Sequence, residues 1–275
     1  MLDKNGLLEE YAPLYEEAQS VGEAMERLAG TIKVLRSLCP WDRVQTHESL
    51  RRCMIEEAYE VVDAIDRNDK PNLREELGDV MLQVVMHAEI ASERNDFDLT
   101  DAINEECDKM IRRHPHIFST ETAKTVDKVL EKWENVKSKE HGNINHTERL
   151  ASVPKALPSL IRSEKVQNRA AEVGFDWDGI EEPLNKVEEE LREFCEAREK
   201  QDQAGVTEEL GDLLFSVVNV ARFAGVDPEE ALNAATDKFI RRFGLLESRA
   251  EASGRKLRDM TLSEMDAVWN EIKHK

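Results

Sequence analysis

Glu189-Glu190-Leu191-Arg192-Glu193, followed by Glu208-Glu209-Leu210-Gly211-Asp212, is the stretch that decides the reading of this chain. Glu190 and Glu193 stand three residues apart, as do Glu209 and Asp212. Residues at i and i+3 share one face of a helix, so each segment presents a carboxylate pair if it is helical. A short connection favours antiparallel packing of the two helices, which lets the pairs face one another across a groove. Four carboxylates so placed repel, each close pair costing about 1–4 kcal/mol at the effective dielectric of water or a protein surface. A divalent cation relieves that conflict, and an all-oxygen donor set selects Mg²⁺, with Mn²⁺ as a substitute, over zinc.

A lone EExxE is more often a solvated acidic face than a site. Here the flanking residues speak for a cleft: Leu210, Leu213, Leu214, Val217 and Ala221 follow core spacing, while Glu209, Asp212, Ser216 and Asn219 form a separate polar stripe. The motif also occurs twice. Glu57, Glu60, Glu76 and Asp79 precede Glu190, Glu193, Glu209 and Asp212 by 133 residues each. Downstream, Asp108-Lys109-Met110-Ile111-Arg112-Arg113 is repeated, 129 residues later, as Asp237-Lys238-Phe239-Ile240-Arg241-Arg242. Trp133-Glu134-Asn135-Val136-Lys137 matches Trp269-Asn270-Glu271-Ile272-Lys273 in the same order. The chain is an internal duplication.

The expected organisation is a helical leader over 1–25, an N-terminal domain over 26–140, a linker over 141–157 and a C-terminal domain over 158–275. The linker carries Pro154 and a polar run, His141–Arg149, that breaks helical periodicity. Leu7, Leu8, Leu14 and Tyr15 are available to dock the leader, which Pro13 interrupts. Each copy reads as about four helices. Thr46 caps one running to about Arg67, and Pro71 opens the next, which runs to about Glu93. Thr100 starts a third that Pro115 ends, and Thr125 a fourth to about Lys139. In the second copy Pro183 and Pro228 take first-turn positions, with Asp227 a good cap, and Thr261 and Glu264 have capping-box spacing. No run alternates with period two, so the fold class is all-α.

Charged residues make up 35% of the chain and the formal net charge is −20, which disfavours binding a nucleic-acid polymer. Cys39, Cys53, Cys107 and Cys195 form no CxxC pair and read as reduced thiols of a cytoplasmic protein. The first residues lack a signal-peptide pattern, and Val80–Met86 and Leu213–Ala221 are too short to span a bilayer, so no membrane role is expected.

Lys238, Arg241 and Arg242 place three cations on one helix face, suited to distal phosphates or, equally, to surface ion pairs. Trp269 either contacts a nucleotide or belongs to a core. Gly78 and Gly211 each read either as close helix approach beside the metal or as an ordinary packing contact. His114-Pro115-His116 reads as a helix-ending segment.

EExxE followed by ExxD, with Cys39-Pro40-Trp41-Asp42 upstream in one copy and Gly174-Phe175-Asp176-Trp177 in the other, resembles the MazG family of nucleoside triphosphate pyrophosphohydrolases. The resemblance spans about residues 30–275. It implies two tandem four-helix-type domains of the all-α NTP pyrophosphatase fold, a homodimer, and Mg²⁺-dependent hydrolysis of ribo- and deoxynucleoside triphosphates to monophosphate and pyrophosphate. It further implies Glu190, Glu193, Glu209 and Asp212 as metal ligands and Lys238, Arg241, Arg242 and Trp269 as nucleotide contacts. Glu189, Glu190 and Glu209 are the candidate catalytic carboxylates, with the general base left open between Glu189 and Glu190. Glu57, Glu60, Glu76, Asp79, Lys109, Arg112, Arg113 and Trp133 make a possible second site. Two rivals remain: a sensor that holds Mg–NTP without cleaving it, and a di-iron bundle, whose Glu-x-x-His spacing occurs only at Glu271–His274.

Overall fold

The computed structural model describes residues 8–119 and 145–273, together with Leu2, Gly6, Thr125, Lys128 and Val129. The expected helix from Thr125 to Lys139, Trp133, Leu7 and His274 lie outside the described residues, except that the Lys128 N–H donates to Thr125 Oγ1 at 3.4 Å. The chain divides into two compact units, Met1–Gly142 and Asn143–Lys275. Among the described residues the structure is helical, apart from a single bridge between Leu2 and Leu8. No helix among them is long and apolar enough to cross a membrane.

The first unit opens with α1 (Ala12–Tyr15), where Pro13 sits in the first turn instead of interrupting a helix. Its docking is local: the Arg27 guanidinium donates to the Leu14 carbonyl at 2.8 Å. A Cβ added at Gly30 would stand 3.1 Å from Leu14. Next come α2 (Val21–Leu38), α3 (His47–Asp66), α4 (Lys70–Glu93), α5 (Leu99–Arg113) and the single turn α6 (Pro115–Phe118). Thr46 caps α3 through a reciprocal pair with Ser49, and Asp69 caps α4. The third helix starts one residue before Thr100, because Asp98 and Asp101 supply a capping box that outcompetes a lone threonine. Ile32, Leu50, Val85, Met86 and Ile90 form the core of this unit.

The second unit runs α7 (His146–Ala151), α8 (Ser159–Ala171), α9 (Glu181–Glu199), α10 (Gln203–Phe223), α11 (Pro228–Ala252) and α12 (Leu262–Lys273). The helix α7 falls in the polar run expected to be irregular; Asn145 and Glu148 cap it reciprocally, which offsets the weak periodicity. Asp227 caps α11, and Thr261 with Glu264 caps α12 as the spacing predicts.

Two helix hairpins carry the carboxylate motifs, α3–α4 and α9–α10, and they are the most extensively packed pairs of their units. Their connections are built alike. Asn68 in one and Gln201 in the other adopt positive φ, 52° and 58°, and the next residue, Asp69 or Asp202, caps the following helix. The left-handed residue reverses the chain within three residues and sets the antiparallel register.

One expectation is corrected here. In α10 the residues with core spacing are not the buried ones: Leu210, Leu214 and Val217 are exposed, Leu214 at 52%. The buried positions are Val218 and the polar Ser216 and Asn219. The α4 helix repeats this, exposing Leu77, Met81 and Val84 at the matching positions. The apolar stripe is genuine, but within a single chain α9 and α8 cover the opposite side of α10. The glycine reading changes as well, since a Cβ at Gly78 or Gly211 would meet nothing within 4 Å. Neither glycine marks a close approach within the chain.

Candidate active site

On α9, Glu190 sits at position i+4 from Lys186, whose ammonium lies 2.6 Å from a Glu190 oxygen and 3.1 Å from a Glu189 oxygen. Those two carboxylates hold the lysine charged and raise its pKa. Glu190 is only 4% exposed, and Lys186 is the cation packed against it. One turn on, Glu193 reaches toward Glu209 of α10. Glu190, Glu193 and Glu209 each offer an oxygen within 4.8 Å of the others, close enough for one ion to bridge all three. Burial raises the Glu209 pKa, and the charges of Glu193, Glu190, Glu208 and Asp212 add to it. Asp212 stands outside the tight trio but is a near neighbour of Glu209. Glu189 also stands outside it and is half exposed beside Lys186.

The first unit brings together Glu57, Glu76 and Asp79 in the same way. Burial raises the pKa of Glu57 and Glu76, helped by Asp79 and by Glu60, which hydrogen-bonds to both. Between them the two trios use all four motif positions, which supports reading each set of four as one cluster. The position of Lys186 is taken here by Cys53, so this cluster has no cation of its own helix beside it.

The basic groups differ in kind. Lys109 is paired with Glu106 on its own helix, and Arg112 and Arg113 also have partners. In the second unit the position of Glu106 is held by Ala235, and no carboxylate among the described residues pairs with Lys238, Arg241 or Arg242. Lys238 and Arg241 are exposed on α11. No ion pair joins them to the carboxylate trio. Trp269 packs on Phe239, ring centroids 5.2 Å apart, and stays half-buried between α12 and α11.

Two features escaped the sequence reading. Lys186 was legible as a cation at i−4 from Glu190, but its local partner hid in a chain rich in charge. The other is a link across 46 residues: the Arg222 guanidinium of α10 grips Asp176 with hydrogen bonds of 2.9 and 2.5 Å, fixing the segment after α8. No periodic pattern announces a pair so distant.

The donor set of the trio is wholly carboxylate, partly buried and crowded with like charge, which suits a hard divalent cation.

A model of the MazG nucleotide pyrophosphohydrolase domain matches residues 45–118 and 179–243, which take in both hairpins, all of α5 and α6, and α11 as far as Phe243. The chain is 41% identical to "Nucleoside triphosphate pyrophosphohydrolase/pyrophosphatase MazG" of Thermotoga maritima, over 93% of this chain and 98% of that one. It is 43% identical to the "Nucleoside triphosphate pyrophosphohydrolase" of Escherichia coli strain K12, over 86% and 90%. A solved structure, "Crystal structure of mazG-related protein from Thermotoga maritima", aligns at a TM-score of 0.38 and 31% identity, covering 41% of this chain and 98% of that one. With both hairpins inside the matched segments and nearly the whole chain aligned to named relatives, the protein belongs to the MazG nucleotide pyrophosphohydrolase family.

Proposed function

We propose that the second unit hydrolyses nucleoside triphosphates, ribo and deoxy, to the monophosphate and pyrophosphate, with Mg²⁺ held by Glu190, Glu193, Glu209 and Asp212 and with Mn²⁺ able to replace it. The observation that carries this reading is the trio of carboxylate oxygens within 4.8 Å across α9 and α10. Bound there, the ion neutralises triphosphate charge and acidifies water. The chain supplies the rest. Lys186 holds Glu190 and Glu189 against their mutual repulsion and fixes the direction of both. Glu189 lies outside the trio and gives one oxygen to Lys186, which leaves the other to orient a water and take its proton, with Glu190 the alternative. Lys238, Arg241 and Arg242, unpaired within the described residues, grip the outgoing pyrophosphate. Trp269 contacts the nucleotide from the α11–α12 side and, through Phe239, steadies the turn that carries Lys238.

The exposed stripe Leu210–Leu214–Val217 supports a homodimer in which a second copy covers it. A cytoplasmic housecleaning role in the nucleotide pool follows from a broad triphosphate specificity. Incubation with mixed triphosphates and Mg²⁺ tests the reading: pyrophosphate and monophosphate should appear together, and Glu209→Gln should abolish both. Retained activity in that variant, or orthophosphate as the product, overturns it.

A further inference from the structure

The second unit contains a cavity that the carboxylate chemistry does not use. It has a volume of about 440 Å³ and lies between α8, α10 and the segment Gly174–Trp177. That is within the range of small-molecule sites, about 300–1,000 Å³. Its lining is apolar and aromatic, with Leu150, Val166, Phe175, Trp177 and Phe215 around it. Three of these rings are left in the open, Phe175 at 82% exposure and Trp177 and Phe215 at 42%. Exposed rings gathered at one hollow are an unfinished contact.

The walls are fixed rather than loose. Gly174, at φ 85°, turns the chain off α8, so that the Phe175 N–H donates to the Ala170 carbonyl. Asp176 is clamped by Arg222, which holds its carboxyl below the ordinary aspartate range, and it also accepts from the Trp177 N–H at 3.0 Å. The charge of Arg222 is thereby spent within the wall. The cavity is close to neutral, a poor place for phosphate and a good one for a heterocycle.

One buried atom points to the ligand. Gln167 is 7% exposed and lines the cavity. Its amide nitrogen donates to the Phe215 carbonyl at 2.8 Å, which fixes the orientation of the amide, since that carbonyl only accepts. Gln167 Oε1 is left buried with no hydrogen-bond partner. A buried acceptor without a donor costs free energy that a ligand N–H recovers.

The location completes the argument. Asn219, another lining residue, lies seven residues after Asp212, two turns on along the same face of α10. At 1.5 Å per residue that is roughly 10 Å, leaving room for a ribose between a phosphate at the carboxylates and a ring in the cavity. Resting on the pyrophosphohydrolase reading above, we propose that this cavity receives the base of the nucleoside triphosphate, stacked on Trp177 and Phe175, with Gln167 Oε1 accepting from a base N–H. The acceptor takes the amino group of adenine, cytosine or guanine and the ring N3–H of uracil alike, so the cavity admits any of these bases, and the larger stacking area of a purine makes adenine nucleotides bind better than uridine nucleotides.

Calorimetric titration of the full chain with Mg²⁺ and α,β-methylene-ATP, α,β-methylene-UTP or inorganic tripolyphosphate tests this. The double variant Phe175→Ala, Trp177→Ala should weaken the ATP analogue at least tenfold and tripolyphosphate less than twofold. Gln167→Met, which keeps the side-chain length and removes the acceptor, should weaken the ATP and UTP analogues alike severalfold and tripolyphosphate less than twofold. The proposal is overturned if the double variant binds the ATP analogue within twofold of the parent, or loses tripolyphosphate equally. It is also overturned if the parent fails to bind the analogue, or if the double substitution changes only the oligomeric state, which would assign the cavity to a second copy. Failure of the parent to release pyrophosphate would sink the proposed reaction, while these titrations would still decide the cavity.

Discussion

The two units carry one hairpin with different surroundings. Both bring acidic side chains together across two helices. Only the second places a lysine against the buried glutamate, through Lys186, where the first has Cys53. Only the second leaves Lys238 without an intrahelical partner, whereas Lys109 is tied to Glu106. At the positions of Phe215, Asn219 and Arg222 the first unit has Leu82, Met86 and Glu89, and Met86 is buried in its core. A carboxylate cluster can hold an ion, but what flanks it decides whether a triphosphate and a base can join. On that measure we propose that the second unit carries the reaction and that the first is at most an ion site, with its activity open to test.

The sharpest way to break this contrast is to neutralise the same position in each unit. Glu209→Gln should lower pyrophosphate release by two to three orders of magnitude or more, roughly what several kcal/mol of charge stabilisation amounts to. Glu76→Gln should leave it within about threefold. Equal losses would make the units joint owners of the reaction. Next in size are the lysines. Lys238→Ala should raise KM about ten- to a hundredfold, the worth of a charge-assisted hydrogen bond, while Lys109→Ala changes it little. Initial-rate kinetics on each variant checks the pair.

A pH dependence separates the units more gently. His47 and His87 of the first unit stack at 5.1 Å with their Nδ1 atoms 2.8 Å apart, while the matching residues in the second are Ile180 and Val220. Burial lowers the His87 pKa from 6.5, and the charge of His47 lowers it further. The folded state therefore prefers neutral His87. Its contribution is fully present above about pH 6.5 and is lost as the pH falls below that value, where the unfolded chain binds more protons. Denaturant melts across pH 5–8 should show the first unit losing stability on the acid side, and His87→Gln should flatten that slope.

The smallest expected effect concerns the glycines. Gly78→Ala and Gly211→Ala should each stabilise the fold by about 1 kcal/mol, because a Cβ at either meets open space and alanine is the better helix former. If Gly211→Ala also impairs turnover while Gly78→Ala does not, the space beside Gly211 is used by substrate.

Local signals made much of this legible. Thr46, Asp227 and the Thr261–Glu264 pair cap helices where the sequence places them, because a cap depends on residues within one turn. The clustering of Glu190, Glu193 and Glu209 was also within reach, since i, i+3 spacing and a short connection leave few alternatives. What stayed hidden depends on distance or on missing partners. The Arg222–Asp176 clamp and the Gln167 amide join segments with no shared periodicity. The stripe Leu210, Leu214 and Val217 has the pattern of a core, yet the pattern cannot say whether its cover comes from the same chain.

The left-handed residue at each hairpin, Asn68 or Gln201, has a consequence for how these genes can drift. With so tight a reversal, helical phase passes almost unchanged from one arm to the other. Adding or deleting a single codon within either arm, between the carboxylates and the bend, would swing one acidic pair by about 100° around its axis. Substitutions on the outer faces are cheap by comparison. The spacing between the two motifs is thus a length this fold must keep for its acidic pairs to stay opposed.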